Sequence, residues 1–355
     1  MGRGSCAWKT YEKGSDSVQV EKNKRKRLQT GEVCEGKDGL AKACGTKKSI
    51  SDKDNGKRRH GSSQLLEFRF SGHQTFPFRY GWLKKAADHV GVFNKDDAIV
   101  RLGVGKNMVS SIRHWALASQ LFSDCGRGAI ALTADGERVL KEWDPYLEDP
   151  GTLWFIHWKL TTNPSRAAAW FLAFHRFPRP EFTKAELVEY LLDFVKANEL
   201  RPKRNTLARD VDCLIRTYVP SRSSEVKFVE DSFDCPLVEL GLLRRLRDGE
   251  TFQFAVGSKS TLPTEVFGAA LFEFLDSKGT LDTVPVHECV YGVGSPGQAF
   301  KLDENSVMEY LEELQRTTQG IIEVDDTSGL KQVYRRRRAD SRCMLEQYFG
   351  KGNAA

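Results

Sequence analysis

Three times after residue 66 the chain runs through amphipathic helical stretches and then into a short strand–turn–strand pattern. A two-stranded hairpin is not stable alone and needs helices packed on it. The recurring order predicts an α+β, mainly α, fold of tandem winged-helix units, each a helix-turn-helix followed by a β-hairpin. The expected units are 67–162, 163–258 and 259–342, after a disordered basic tail at 1–66 and before a C-terminal tail at 343–355. They do not align residue by residue, so the repeat is architectural.

In the first unit, "DDAIVRLGVGKNMVSSIRHWALASQLF" (96–122) holds two helices broken at "GVG". Ile99, Leu102, Val104, Met108, Val109, Ile112 and Ala116 recur at helical spacings. Gly103 stands where the first helix needs a left-handed residue to end it. "CGRG" then reads as a turn, and "LTADGERVL" as a strand entering a helix capped by Thr133. In the second unit Thr183 and Glu186 have capping-box spacing. Leu207, Val211, Leu214 and Tyr218 stripe its long second helix, and Asp248-Gly249 marks its hairpin. The third unit has helices at 263–277 and 306–320 and a strand–turn–strand over 320–338.

Composition narrows the function classes. The chain is 40% hydrophobic, yet runs such as "LWFIHW" (153–158) fall far below the ~20 residues of a membrane helix. No secretory pattern opens it, so a cytoplasmic protein without membrane contact is expected. Eight cysteines, none in a C-x-x-C pair, point to reduced thiols and no metal site. The net charge is +6, but residues 1–67 carry +7 and the rest −1. Nucleic-acid binding by the body therefore has to be argued from local clusters. "KNKRKR" (22–27) and "KRRH" (57–60) read as a solvated tail, though such runs also touch phosphates or serve as nuclear addresses.

Two clusters qualify. On the helix over 105–117, Asn107, Ser110, Ser111 and His114 form a polar stripe, flanked by Lys106 and Arg113. Short polar side chains suit base edges and the cations suit phosphates; the competing reading is a solvated face or a protein-docking face. On the helix near 203–218, Lys203, Arg204, Arg209 and Arg216 form a candidate phosphate track, against which Asp212 could pair with Arg216 within the helix. "VYRRRR" (333–338) reads as a charged wing tip or a protected edge strand. "GVGK" (103–106) lacks the glycine at 100, the Ser or Thr at 107 and the preceding strand of a phosphate-binding loop. "YGVGSPGQAFKLDE" (291–304) lacks dinucleotide-binding spacing, although Asp303 reads as a helix cap. No catalytic constellation and no cofactor motif stands out.

"FSGHQTFPFRYGWL" (70–83) is the least ordinary stretch. Phe76, Phe78, Tyr80 and Trp82 alternate as in an extended, half-buried segment, and Pro77 suits an edge strand. The stretch reads as an aromatic clasp across the first unit, with His73 in a structural hydrogen bond. His73, Gln74 and Arg79 are its residues of unassigned role.

Together "FSGHQTFPFRYGWLKK", "LGVGKNMVSSIRHWA", "LARDVDCLIRTY", "LGLLRRLRDGETFQF", "GSPGQAFKLDE" and "DDTSGLKQVY" resemble the bacterial domain-of-unknown-function family numbered four thousand and seven, over about residues 68–340. Members tend to be encoded beside sulfur-transfer enzymes, in neighbourhoods that resemble DNA phosphorothioation and phage-defence islands. The resemblance implies a role with such machinery and supplies no catalytic residue. The expected function is a non-enzymatic DNA-binding accessory or regulatory protein, with duplex DNA and the nearby sulfur-transfer or defence proteins as partners. A protein-interaction scaffold without DNA contact is the alternative, and a nuclease with a scattered site a third reading.

Overall fold

Gly103 sets up the first helix pair. In the computed structural model, which describes residues 67–220, 235–279, 283–327, 330–337 and 340–352, its φ is 63° and its N–H bonds back to Ile99 and Val100. That left-handed cap ends α2 (Ala98–Leu102) and lets α3 (Lys106–Ala118) start three residues later. Ahead of them lies α1 (Trp82–Asp88). Behind them β1 (Phe122–Gly126) and β2 (Ala129–Leu132) pair antiparallel, with Asp124 opposite Ile130. Thr133 accepts from Gly136 N–H and caps α4 (Ala134–Glu137), which runs into a π-helical turn at Arg138–Trp143. The disordered tail expected over 1–66, with its basic runs, lies outside the described residues.

Two further sheets share one topology. In the first, β3 (Glu181–Thr183) precedes α7 (Lys184–Ala197) and α8 (Arg204–Tyr218), and β4 (Leu243–Arg245) and β5 (Thr251–Phe254) follow, in the order β3-β5-β4. The Thr183–Glu186 capping box starts α7, with both reciprocal bonds present. In the second, α9 (Thr264–Ser277) leads to β6 (Thr283–Pro285), α10 (Val286–Tyr291), α11 (Pro296–Phe300), α12 (Glu304–Thr317), β7 (Ile322–Thr327) and β8 (Leu330–Arg335). Its order is β6-β8-β7. Each sheet thus gains a three-residue strand beyond the expected hairpin, ahead of α7 in the first and of α10 in the second.

β8 is therefore a central strand, which corrects the wing-tip and edge-strand readings of "VYRRRR". Arg335 is buried, with Nη1 on Asp276 Oδ1 at 2.5 Å, and Arg336 pairs with Glu323. The expected C-terminal tail is corrected as well. Met344, Leu345 and Phe349 are buried, so the segment folds as α13 (Ser341–Gly352) against α9.

The centre of the molecule is a pair of helices that carry almost no polar face. α5 (Pro150–Thr161) is buried along nearly its whole length, and α6 (Pro164–His175) packs on it. The expected boundary at 162/163 falls between them. His157 on α5 donates Nε2–H to Ala299 O at 2.8 Å and accepts at Nδ1 from Tyr218 O–H, also at 2.8 Å, so one imidazole ties α8 to α11. Lys301 donates to Phe174 O at 2.5 Å beneath the ring of Phe254. Burial pushes its amine down to about 7. The fold is mixed α/β, mostly helical, with small antiparallel sheets. No helix among the described residues is long and apolar enough to cross a membrane.

Candidate nucleic-acid interface

The residues Ser71, Gly72, Gln74 and Thr75 all have positive φ, at 70°, 111°, 49° and 67°. Three of them carry a Cβ that this conformation penalises by about 1 kcal/mol or more each. Such a loop persists only where its surroundings over-determine it. Residues 76–79 that follow form no regular element and pair with no strand, which corrects the edge-strand reading.

His73 supplies the main restraint. Its Nδ1 accepts from Thr75 N–H at 3.1 Å, so the ring proton sits on Nε2 and is donated to Asp210 Oδ1 at 2.9 Å. The other carboxylate oxygen accepts from Ser71 N–H at 2.8 Å. His73 and Asp210 are each about 2% exposed. Asp210 comes from α8, 137 residues away in the chain. From the opposite side, Ser111 on α3 donates to His73 O at 2.8 Å. Trp115 Nε1 and Cys213 Sγ share the carbonyl of Phe76, at 3.1 and 3.4 Å. The motif is thus a clasp, as its aromatic spacing suggests, but it joins α3 to α8 rather than closing the first unit on itself.

This packing corrects the polar stripe expected on α3. Ser111 and His114 face inward, Ser111 fully buried and His114 9% exposed. The His114 ring lies against Gly72 so closely that a Cβ there would stand 2.5 Å from its Nδ1. Burial, with help from His73 and Arg166, holds the His114 pKa down to about 3, so its imidazole is neutral. The face that reaches solvent carries Lys106, Asn107 and Ser110 instead, with Arg113 half-buried at its end. Arg113 donates Nε–H to Gly128 O at 2.8 Å and pairs with Asp124 at 3.0 Å; Arg166 pairs with the same carboxylate at 2.8 Å.

Lys203, the N-cap of α8, and Arg209 on it are exposed and form no ion pair among the described residues. Arg204 is paired with Glu189. Arg216 donates to Thr75 O and so braces the loop tip. Asp212 does not pair with Arg216 through its carboxylate, which holds Lys184 at 2.5 Å. Arg79 lies over the rings of Phe76 and Trp82, at 5.7 and 5.6 Å. Exposed Gln74 and Thr75 thus form a tip held by Ser111 of α3 and by Asp210 and Arg216 of α8. Among the described residues no three His, Cys, Asp or Glu side chains come together as metal ligands.

Sequence reasoning missed Asp210 and Arg166. Asp210 does carry a signal, since it lies three residues after Leu207 and four before Leu214, on the apolar stripe. Arg166 has no basic neighbour in sequence and no local signal at all.

The model of a family described as "Protein of unknown function (DUF4007)" matches residues 70–349. A solved structure described as "SspB crystal structure" is 29% identical and superposes with a TM-score of 0.71, covering 81% of this chain and 89% of that one. A second, "Magnesium ion-bound SspB crystal structure", is 30% identical with a TM-score of 0.72 and the same coverage. No curated protein matches the sequence.

Proposed function

We propose that this chain, which belongs to the DUF4007 family of proteins of unknown function, is a DNA-binding accessory protein without chemistry of its own, acting with a DNA sulfur-modification or phage-defence system. The likeness to structures named SspB fits a phosphorothioation-associated role. The helix pairs followed by hairpins are read as winged-helix units, the middle and last each with an extra strand on the hairpin. One observation carries the DNA reading. The His73–Asp210 bond fixes a strained, exposed tip held by two helices whose cations Lys106, Lys203 and Arg209 face solvent without an ion pair among the described residues. Cations would hold phosphates, while Gln74 and Asn107 offer the amide groups that suit adenine edges.

A salt titration on duplex DNA tests this. Lys106→Ala and Arg209→Ala should each flatten the slope of log K against log[salt] by about 0.9. Gln74→Ala should alter sequence or modification preference and leave the slope alone. No binding at low salt, or no loss when Arg204, Arg209 and Arg216 all become Ala, would remove the nucleic-acid reading. The scaffold alternative draws on the pairing of Lys184 with Asp212 and Arg204 with Glu189, which neutralises part of the α7–α8 surface. DNA-independent co-purification with sulfur-transfer proteins would favour it.

A further inference from the structure

The solvent face of α3 runs through Lys106, Ser110 and Arg113, at i, i+4 and i+7. At its end Arg113 meets Arg166, the third residue of α6, over a single carboxylate, Asp124 of β1. One carboxylate cannot neutralise two guanidinium groups, so these three side chains carry a surplus positive charge. Each arginine reaches the hairpin from a different helix, Arg113 from α3 and Arg166 from α6. The second brings a like charge alongside, which is unfavourable until an anion arrives.

Donor arithmetic points the same way. Each guanidinium has five N–H donors. Among the described residues Arg113 uses Nε on Gly128 O and Nη2 on Asp124 Oδ1, while Arg166 uses Nη2 alone, on Oδ2. Both side chains are about a quarter exposed, at 25% and 27%. Asp124 is fixed in turn by Gly126 N–H at 3.0 Å and by its pairing in the hairpin. The two planar forks are therefore held in place before any ligand binds, which lowers the entropy cost of gripping a tetrahedral oxyanion.

We propose that Arg113 and Arg166, yoked by Asp124, clamp a backbone phosphate of duplex DNA. The clamp rests on the DNA reading above. It adds a contact on α6, outside both helices that the sequence singles out, and it would set the position of α3 on the duplex without reading bases.

The test uses the full chain, a labelled duplex and a series of KCl concentrations, with thermal melts on every variant. Arg166→Gln should lower the slope of log K against log[KCl] by about 0.9, or about eightfold weaker binding near ~0.1 M salt, equally on unrelated sequences. Arg166→Lys, which keeps the charge, should keep the slope. An unchanged slope in Arg166→Gln, with only a lower melting temperature, would make the cluster a structural tie and overturn the clamp. Wild-type protein that shows no salt-dependent binding would remove the DNA reading itself, which is a distinct result.

Discussion

Gly72→Ala is the most informative single change in the motif. The residue has φ of 111°, and a Cβ would sit 2.5 Å from His114 Nδ1 and 3.0 Å from its Cε1. Two costs add. A side chain held near that φ costs about 1–3 kcal/mol. Forcing a methyl against a buried ring costs another ~1–3 kcal/mol, because the ring has no free space to enter. Gly103→Ala is the control, since its φ is 63° and nothing lies within 4 Å of the added carbon. It should cost only the left-handed backbone penalty, about 1 kcal/mol. Urea denaturation should therefore separate the two by about 3 kcal/mol, with m-values unchanged. The contact part can be isolated by adding His114→Ala, which removes the ring. The double mutant should recover about 1–3 kcal/mol relative to additivity. Equal losses for Gly72→Ala and Gly103→Ala, or strict additivity with His114→Ala, would refute the close-packing argument.

Asp210→Asn has one acceptor oxygen for the two donors that face it, Ser71 N–H and His73 Nε2–H, so it should cost about 1–3 kcal/mol in the same assay; a neutral result would show that the bond does not hold the loop. Lys301 titrates near 7 when folded and near its ordinary 10.5 when unfolded. The unfolded chain thus binds more protons across that window, and stability should rise with pH from 7 to 9 by about 2 kcal/mol from this group and be lost as pH falls back to about 7. Lys301→Met should remove that part of the slope, measured as denaturation midpoints against pH. Gln74→Ala leaves the bonds that hold Ser71, His73 and Thr75 in place, so its melt should match wild type within about 0.5 kcal/mol while its DNA preference shifts.

Local rules made the local structure legible. Gly103, Thr133, the Thr183–Glu186 box and Asp303 end or begin helices as their chemistry requires. Each acts within a few residues, so the sequence contains both partners. α5 and α6 escaped the reading for the opposite reason. They are buried on every side, so no polar face gives them a period. β3 and β6 are three residues long, too short for alternation to register. Ser111 and His114 read as an exposed stripe because they are polar, and Asp210 drew no role although it lies on the apolar stripe. Their burial depends on partners that only the tertiary fold brings near, His73 above all.

That dependence bears on why the latch is polar at all. Apolar packing is non-directional and could not hold Ser71, Gln74 and Thr75 at positive φ against their penalty. Hydrogen bonds fix direction, and the restraints fall where the strain is: Asp210 accepts from Ser71 N–H, His73 accepts from Thr75 N–H, and Arg216 donates to Thr75 O. Gln74, the residue between them, is left exposed with its side chain unrestrained by any bond among the described residues. A fold that needed only a connection between α3 and α8 would gain nothing from that strain. Because α3 holds the loop through Ser111 and α8 through Asp210 and Arg216, the tip registers the spacing of the two helices. Substitutions at Ser111 and Arg216 should then affect ligand binding non-additively although neither side chain faces the other.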